Sequence, residues 1–227
     1  MTFRSKWLIA NKNSRHLEKL LGKHGTINYH IKGSPFNGIL ETEYGNTFTY
    51  KIRGSKQSNT TRGWIKTIIN HLDPIINVDF RDVSNINKAH LIFLSVKQVS
   101  KPWSKHTTGE SIWNPKGGPA QKGAAYVLTK SSQKISDQLA TITHELGHAL
   151  GLKHPKEKPE SPEFSTAITA MSYNEPTDST FKYKDFTVND LRALTKIWGK
   201  QSPAGEKIKT RIPFPARQDC NVKRAAW

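Results

Sequence analysis

The chain has 227 residues, with 35 lysines and arginines against 18 aspartates and glutamates, a formal net charge of +17. That length fits one domain with tails, able to bury its own core, and the single cysteine, Cys220, excludes a disulfide framework and a cysteine-ligated zinc finger. No apolar run approaches the roughly 18 residues of a membrane span, and no secretory h-region with a small-residue cleavage site is visible near the start.

Residues 1–25 carry six basic side chains against Glu18 and read as a basic arm. Thr26–Ile31 mixes β-branched and aromatic residues, as a strand does, and residues 32–60 are polar and glycine-bearing with a hairpin signal at Gly45-Asn46. Trp64, Ile65, Ile68, Ile69 and Leu72 recur at helical spacing, with Thr60 or Thr61 as N-cap and Pro74 as the stop. Ile76–Val83 and Ala89–Val96 read as strands, residues 97–123 as a long loop, and Ala124–Leu128 as a short strand. Ser136 or Asp137 then caps a helix with Leu139, Ile142, Leu146 and Leu150 on its apolar face, stopped by Gly151. Thr187 and Asp190 stand like a capping box before a last helix bearing Leu191, Leu194, Ile197 and Trp198, ended by Gly199. Residues 200–227 form a second basic stretch with three prolines, expected to have little order.

Two readings of the charge stay open at this level: attraction to nucleic acid, another polyanion or acidic substrates, or a solvated basic face. No nucleic-acid motif accompanies the basic arms, so the charge does not define the primary function.

The chemistry concentrates in His144-Glu145-Leu146-Gly147-His148. Residues i and i+4 share one helical face, so His144 and His148 can reach a single ion. Glu145 points beside that face, where its carboxylate can serve as a base without ligating the ion. Gly151 permits a left-handed exit from the helix, and His154 three residues later can swing back as a third ligand. Three histidines leave one position of tetrahedral Zn2+ for water, the mark of a catalytic rather than a structural site. A bare His-Glu-x-x-His occurs by chance on amphipathic helices; the added glycine and third histidine make the pattern far more specific.

With Ala170-Met171-Ser172-Tyr173 downstream, the sequence resembles the metzincin metallopeptidases, whose zinc motif is followed by a methionine-containing turn. Pro155 after the third histidine and Tyr173 two residues after Met171 are similar to serralysins; astacins usually have glutamate at the first position, and matrixins proline at the second. The resemblance spans roughly residues 26–199. It implies an α+β domain with a twisted, mostly parallel sheet, an antiparallel edge strand, an active-site helix, a Met-turn and a C-terminal helix. It further implies a zinc-dependent endopeptidase: His144, His148 and His154 hold one catalytic Zn2+, Glu145 is general base and acid, and Tyr173 is a hinged ligand that stabilises the oxyanion. Met171 is the floor beneath the metal. Substrate peptides lie along the edge strand in this family, and Ala124, Ala125, Tyr126, Val127 and Leu128 are the candidate edge. Protein or peptide substrates, a monomer and an extracellular location are also implied. The glycine- and aspartate-rich repeats of serralysins are missing and no DxDxDG-type loop is present, so calcium is unsupported. A non-catalytic polyanion binder is the rival reading; the intact ligand and base set stands against it.

Overall fold

The computed structural model describes residues 3–12, 15–22, 25–44, 46–100, 103, 107–176 and 185–201. The helices are α1 (His16–Leu21), α2 (Asn59–Leu72), α3 (Ile135–Ala149) and α4 (Val188–Trp198). The strands are β1 (Thr26–Ile31), β2 (Asn37–Tyr44), β3 (Asn46–Ser55), β4 (Asp79–Asp82), β5 (Leu91–Val99), β6 (Gly109–Asn114) and β7 (Ala124–Lys130). The architecture is α+β.

β4, β1, β5 and β7 run parallel, and β6 closes the row antiparallel to β7. β7 takes one edge of β5 over Leu91–Val96, so β1 and β3 share the other: β1 against Leu91–Phe93, and β3, antiparallel, against Ser95–Val99. The β2–β3 hairpin expected near Gly45-Asn46 is present, with Tyr44 opposite Asn46 and Gly45 itself outside the described residues.

Alternation along β5 divides the core. Leu91 and Phe93 face α2, α3 and α4, where Ile65, Ile68, Leu146 and Trp198 are fully buried; Ile92 and Leu94 face the hairpin with Leu40, Tyr50 and Ile52. Trp64 ties α2 to α3, its indole N–H donating to the Leu139 carbonyl at 3.1 Å.

The structure corrects several sequence expectations. Ala124–Leu128 is not an edge: β7 is paired with β5 on one side and β6 on the other, and five consecutive apolar residues are what a strand buried on both faces requires. On this side the outermost strand is β6, inside the expected loop 97–123, and its outer edge has no strand partner among the described residues. The N-cap of α2 is Ser58, accepting from the Thr61 N–H; Thr61 is itself buried. α3 starts after Lys134 without a side-chain cap, leaving Ser136 and Asp137 inside its first turn. The strand at Ile76–Val83 shortens to Asp79–Asp82. Residues 1–25 do not stand apart as an arm either: Leu8 and Leu17 sit in the main core. The expected tail falls outside the described residues from position 202, Cys220 included. No helix among the described residues is long and apolar enough to cross a membrane.

The capping box at α4 forms as its spacing indicates. Thr187 accepts from the Asn189 and Asp190 N–H groups, and the Asp190 carboxylate accepts from the Thr187 N–H.

Candidate metal centre

α3 is amphipathic because its apolar residues recur every three to four positions. Leu139, Ile142, Leu146 and Leu150 are buried, which turns His144 and His148 to one side of the helix one turn apart. The helix ends where Trp198 of α4 donates its indole N–H to the Leu150 carbonyl at 2.9 Å. Gly151 follows with φ +100, and a Cβ there would also stand 3.0 Å from Cγ of Arg15. The Leu152 N–H then bonds the Gly147 carbonyl at 2.8 Å, and the chain doubles back to His154.

The turn brings the three rings together. Nε2 of His154 lies 3.2 Å from Nε2 of His144 and 3.2 Å from Nε2 of His148. Among the described residues, this is the group of three that offers ligand atoms all within 4.8 Å of one another. His144 donates from Nδ1 to the Ala170 carbonyl at 2.8 Å, and His148 from Nδ1 to the Leu152 carbonyl at 3.0 Å. Those acceptors fix the tautomer, so both Nε2 lone pairs point at the common focus. Burial lowers all three imidazoles: His144 to about 4, His148 well below its ordinary value with help from its two neighbours, and His154 also downward. Neutral, convergent imidazoles, two of them with satisfied back sides, are the donor set that Zn2+ takes.

A histidine depressed by burial binds fewer protons folded than unfolded, so the stability it contributes is present above pH 6.5 and lost as pH falls toward about 4. The metal-free protein is therefore expected to show a urea midpoint that drops across that window. In His144→Gln, that part of the drop should shrink, and an unchanged profile would contradict it.

Glu145 is buried. Burial pushes its carboxyl up to about 8, with the Glu110 carboxylate adding to the rise and the Ser111 backbone N–H partly offsetting it. A cation held by the histidines would favour its ionised form. Glu110 accepts from the Tyr50 hydroxyl at 3.2 Å and from the Trp103 indole.

Met171 is fully buried beneath α3, and a Cβ on Gly147 would come within 2.6 Å of its Sδ. Gly147 thus lets the methionine turn approach the helix, a role sequence reading missed; its signal was a glycine where helix propensity disfavours one. Tyr173 is 55% exposed, its ring centre 5.4 Å from that of His144 and 5.0 Å from that of His154.

Sequence reading also missed the second task of Asp190. Its buried carboxylate reaches past the cap to accept from the Thr169 hydroxyl and from the Ala170 N–H at 2.9 Å. Ala170 is the residue whose carbonyl holds His144, so one carboxylate links α4, the turn and the first ligand. Of the other histidines, His30 bonds the Val83 carbonyl, His90 accepts from the Asn28 N–H, His16 stacks on Trp113 and His71 meets Asp185. His24 and His106 lie outside the described residues.

Similarity to a serralysin agrees with the resemblance read from the motif. The chain is similar to the Serralysin of Photorhabdus sp. (strain Az29), 26% identical over 187 residues that cover 71% of this chain and 37% of that protein. It thus spans little more than a third of that relative's length. Among solved structures, it matches myroilysin with a TM-score of 0.40 at 10% identity, over 79% of this chain and 95% of that one. It also matches High choriolytic enzyme 1, a hatching enzyme zinc-protease of Oryzias latipes, with a TM-score of 0.40 at 13% identity, over 87% and 97%. No protein-family model matches the chain.

Proposed function

We propose that this chain is a zinc-dependent endopeptidase, with His144, His148 and His154 as the metal ligands. The observation that carries the reading is the convergence of three Nε2 atoms whose partner nitrogens, on His144 and His148, are already committed to carbonyls. When bound, Zn2+ supplies Lewis acidity that acidifies a water and polarises the scissile carbonyl.

The chain's own groups do the rest. Glu145 takes the proton of the attacking water and delivers it to the departing amine nitrogen, so one carboxyl acts first as base and then as acid. The Ser111 N–H bonded to that carboxylate steadies it. The exposed Tyr173 can swing its hydroxyl to donate to the oxyanion. An extended substrate adds along the free edge of β6, main chain to main chain, which favours cleavage within a chain over removal of terminal residues. Peptide segments of proteins are the substrate class, acidic ones favoured by the net charge of +17. The serralysin-like motif supports an extracellular place of action.

The purified, zinc-loaded chain is expected to cleave a peptide library at internal bonds, to stop with a zinc chelator and to resume on adding zinc. Cleavage that survives the chelator, or salt-sensitive polyanion binding without cleavage, would overturn the proposal.

A further inference from the structure

His144 and His148 each have a carbonyl behind Nδ1, but Nδ1 of His154 has no hydrogen-bond partner among the described residues. The third ring is then placed by its backbone, from Leu152 to Glu157, with the Tyr173 ring against it, centres 5.0 Å apart. That backbone is not relaxed on its own account. Lys156 and Glu157 have φ of +52 and +61, a left-handed pair that non-glycine residues keep only where surrounding contacts hold them.

Local ion pairs, Lys153 with Glu157 and Lys156 with Glu163, supply part of that hold, and the first ten residues supply the rest. Ile9 forms an antiparallel bridge with Leu152, whose carbonyl is also the acceptor for His148. The Lys153 N–H donates to the Leu8 carbonyl at 2.7 Å, and the Ala10 N–H to the Gly151 carbonyl at 3.0 Å. Leu8 is fully buried and anchors this strand-like stretch in the core. One residue earlier, Trp7 packs edge-on with Phe3 and Phe164, ring centres 5.6 and 5.9 Å away. Lys156 lies over this cluster, its Nζ 4.6 Å from the Trp7 ring centre and 5.4 Å from that of Phe164, and pairs with Glu163 at 2.6 Å. The left-handed residue is thus clamped by a cation–π contact on one side and an ion pair on the other.

We propose that residues 3–10 form a strap that positions the third metal ligand, with Trp7 and Lys156 as its clasp. Trp7 and Lys156 are positioning residues: neither is a metal ligand, and both act through the backbone that aims His154. The inference rests on the three-histidine reading of the metal centre.

The test is zinc affinity, measured by competition with a chromophoric chelator, for wild type, Trp7→Ala, Lys156→Ala and the control Leu40→Ala in the hairpin-side core. The two clasp variants are expected to bind zinc about tenfold to a hundredfold more weakly, the range for lost outer-shell support. Their far-UV circular dichroism should stay native, and the visible absorption of their cobalt-substituted forms should shift from that of wild type. Leu40→Ala should lower the melting temperature yet keep wild-type zinc affinity, separating positioning from general destabilisation. If Trp7→Ala does not fold, Lys156→Ala carries the test alone, because its side chain is already 30% exposed. Wild-type affinity in the clasp variants would overturn the strap while leaving the metal centre standing. A folded wild type that takes no zinc would overturn both.

Discussion

Replacing Glu145 with glutamine is expected to lower peptide hydrolysis by a factor of about a hundred to about ten thousand, the usual contribution of a positioned acid–base group. Zinc content should stay at one ion per chain, because none of the three convergent Nε2 atoms belongs to Glu145. The side chain is buried, and its surroundings already favour the neutral form through burial and the Glu110 carboxylate. The neutral glutamine amide therefore replaces it at little cost to the fold. Loss of rate, retained metal and retained melting temperature should appear together. A rate within a few-fold of wild type would remove Glu145 from the reaction.

Asp190→Ala is expected to be strongly destabilising. Its carboxylate satisfies the Thr169 hydroxyl, the Ala170 N–H and the Thr187 N–H in a fully buried setting. Removing it leaves buried donors unpaired and deletes half of the α4 capping box, a loss of about 3 kcal/mol or more. For a chain of this size, that is a fall in melting temperature of roughly 6–12 °C. Because Ala170 also carries the acceptor for His144, zinc affinity should fall in the same variant. Thermal melts and zinc competition on one preparation check both; a melting temperature within about 2 °C of wild type would contradict the assignment.

Local patterns were legible in the sequence where the physics is local. The spacing of His144 and His148 on an amphipathic helix, the glycine exit at Gly151 and the Thr187–Asp190 box each depend on a few neighbouring residues, and each appears as read. Some misreadings are local shifts of an element's start, as at Ser58 and Lys134; the larger ones involve partners distant in sequence. β6 has only Ile112 and Trp113 as large apolar residues, too faint an alternation to separate from the lysine- and glycine-rich stretches around it. The run Ala124–Leu128 did carry a usable sign, since an unbroken apolar run marks a strand covered on both faces, as the strands of a parallel sheet are. The burial of Leu8 and Leu17 was hidden by six basic neighbours in the first 25 residues. Nothing local could reveal that Asp190, already explained as a cap, also holds the turn beneath His144, or that Ile9 would pair with Leu152.

The most direct measurement is zinc-edge X-ray absorption on the stoichiometrically loaded protein, wild type beside His154→Ala. Three imidazoles and one oxygen around a single zinc are expected in wild type, with one imidazole fewer in the variant. Two imidazoles in wild type, or an unchanged shell when His154 is gone, would contradict the convergence on which the proposed chemistry stands.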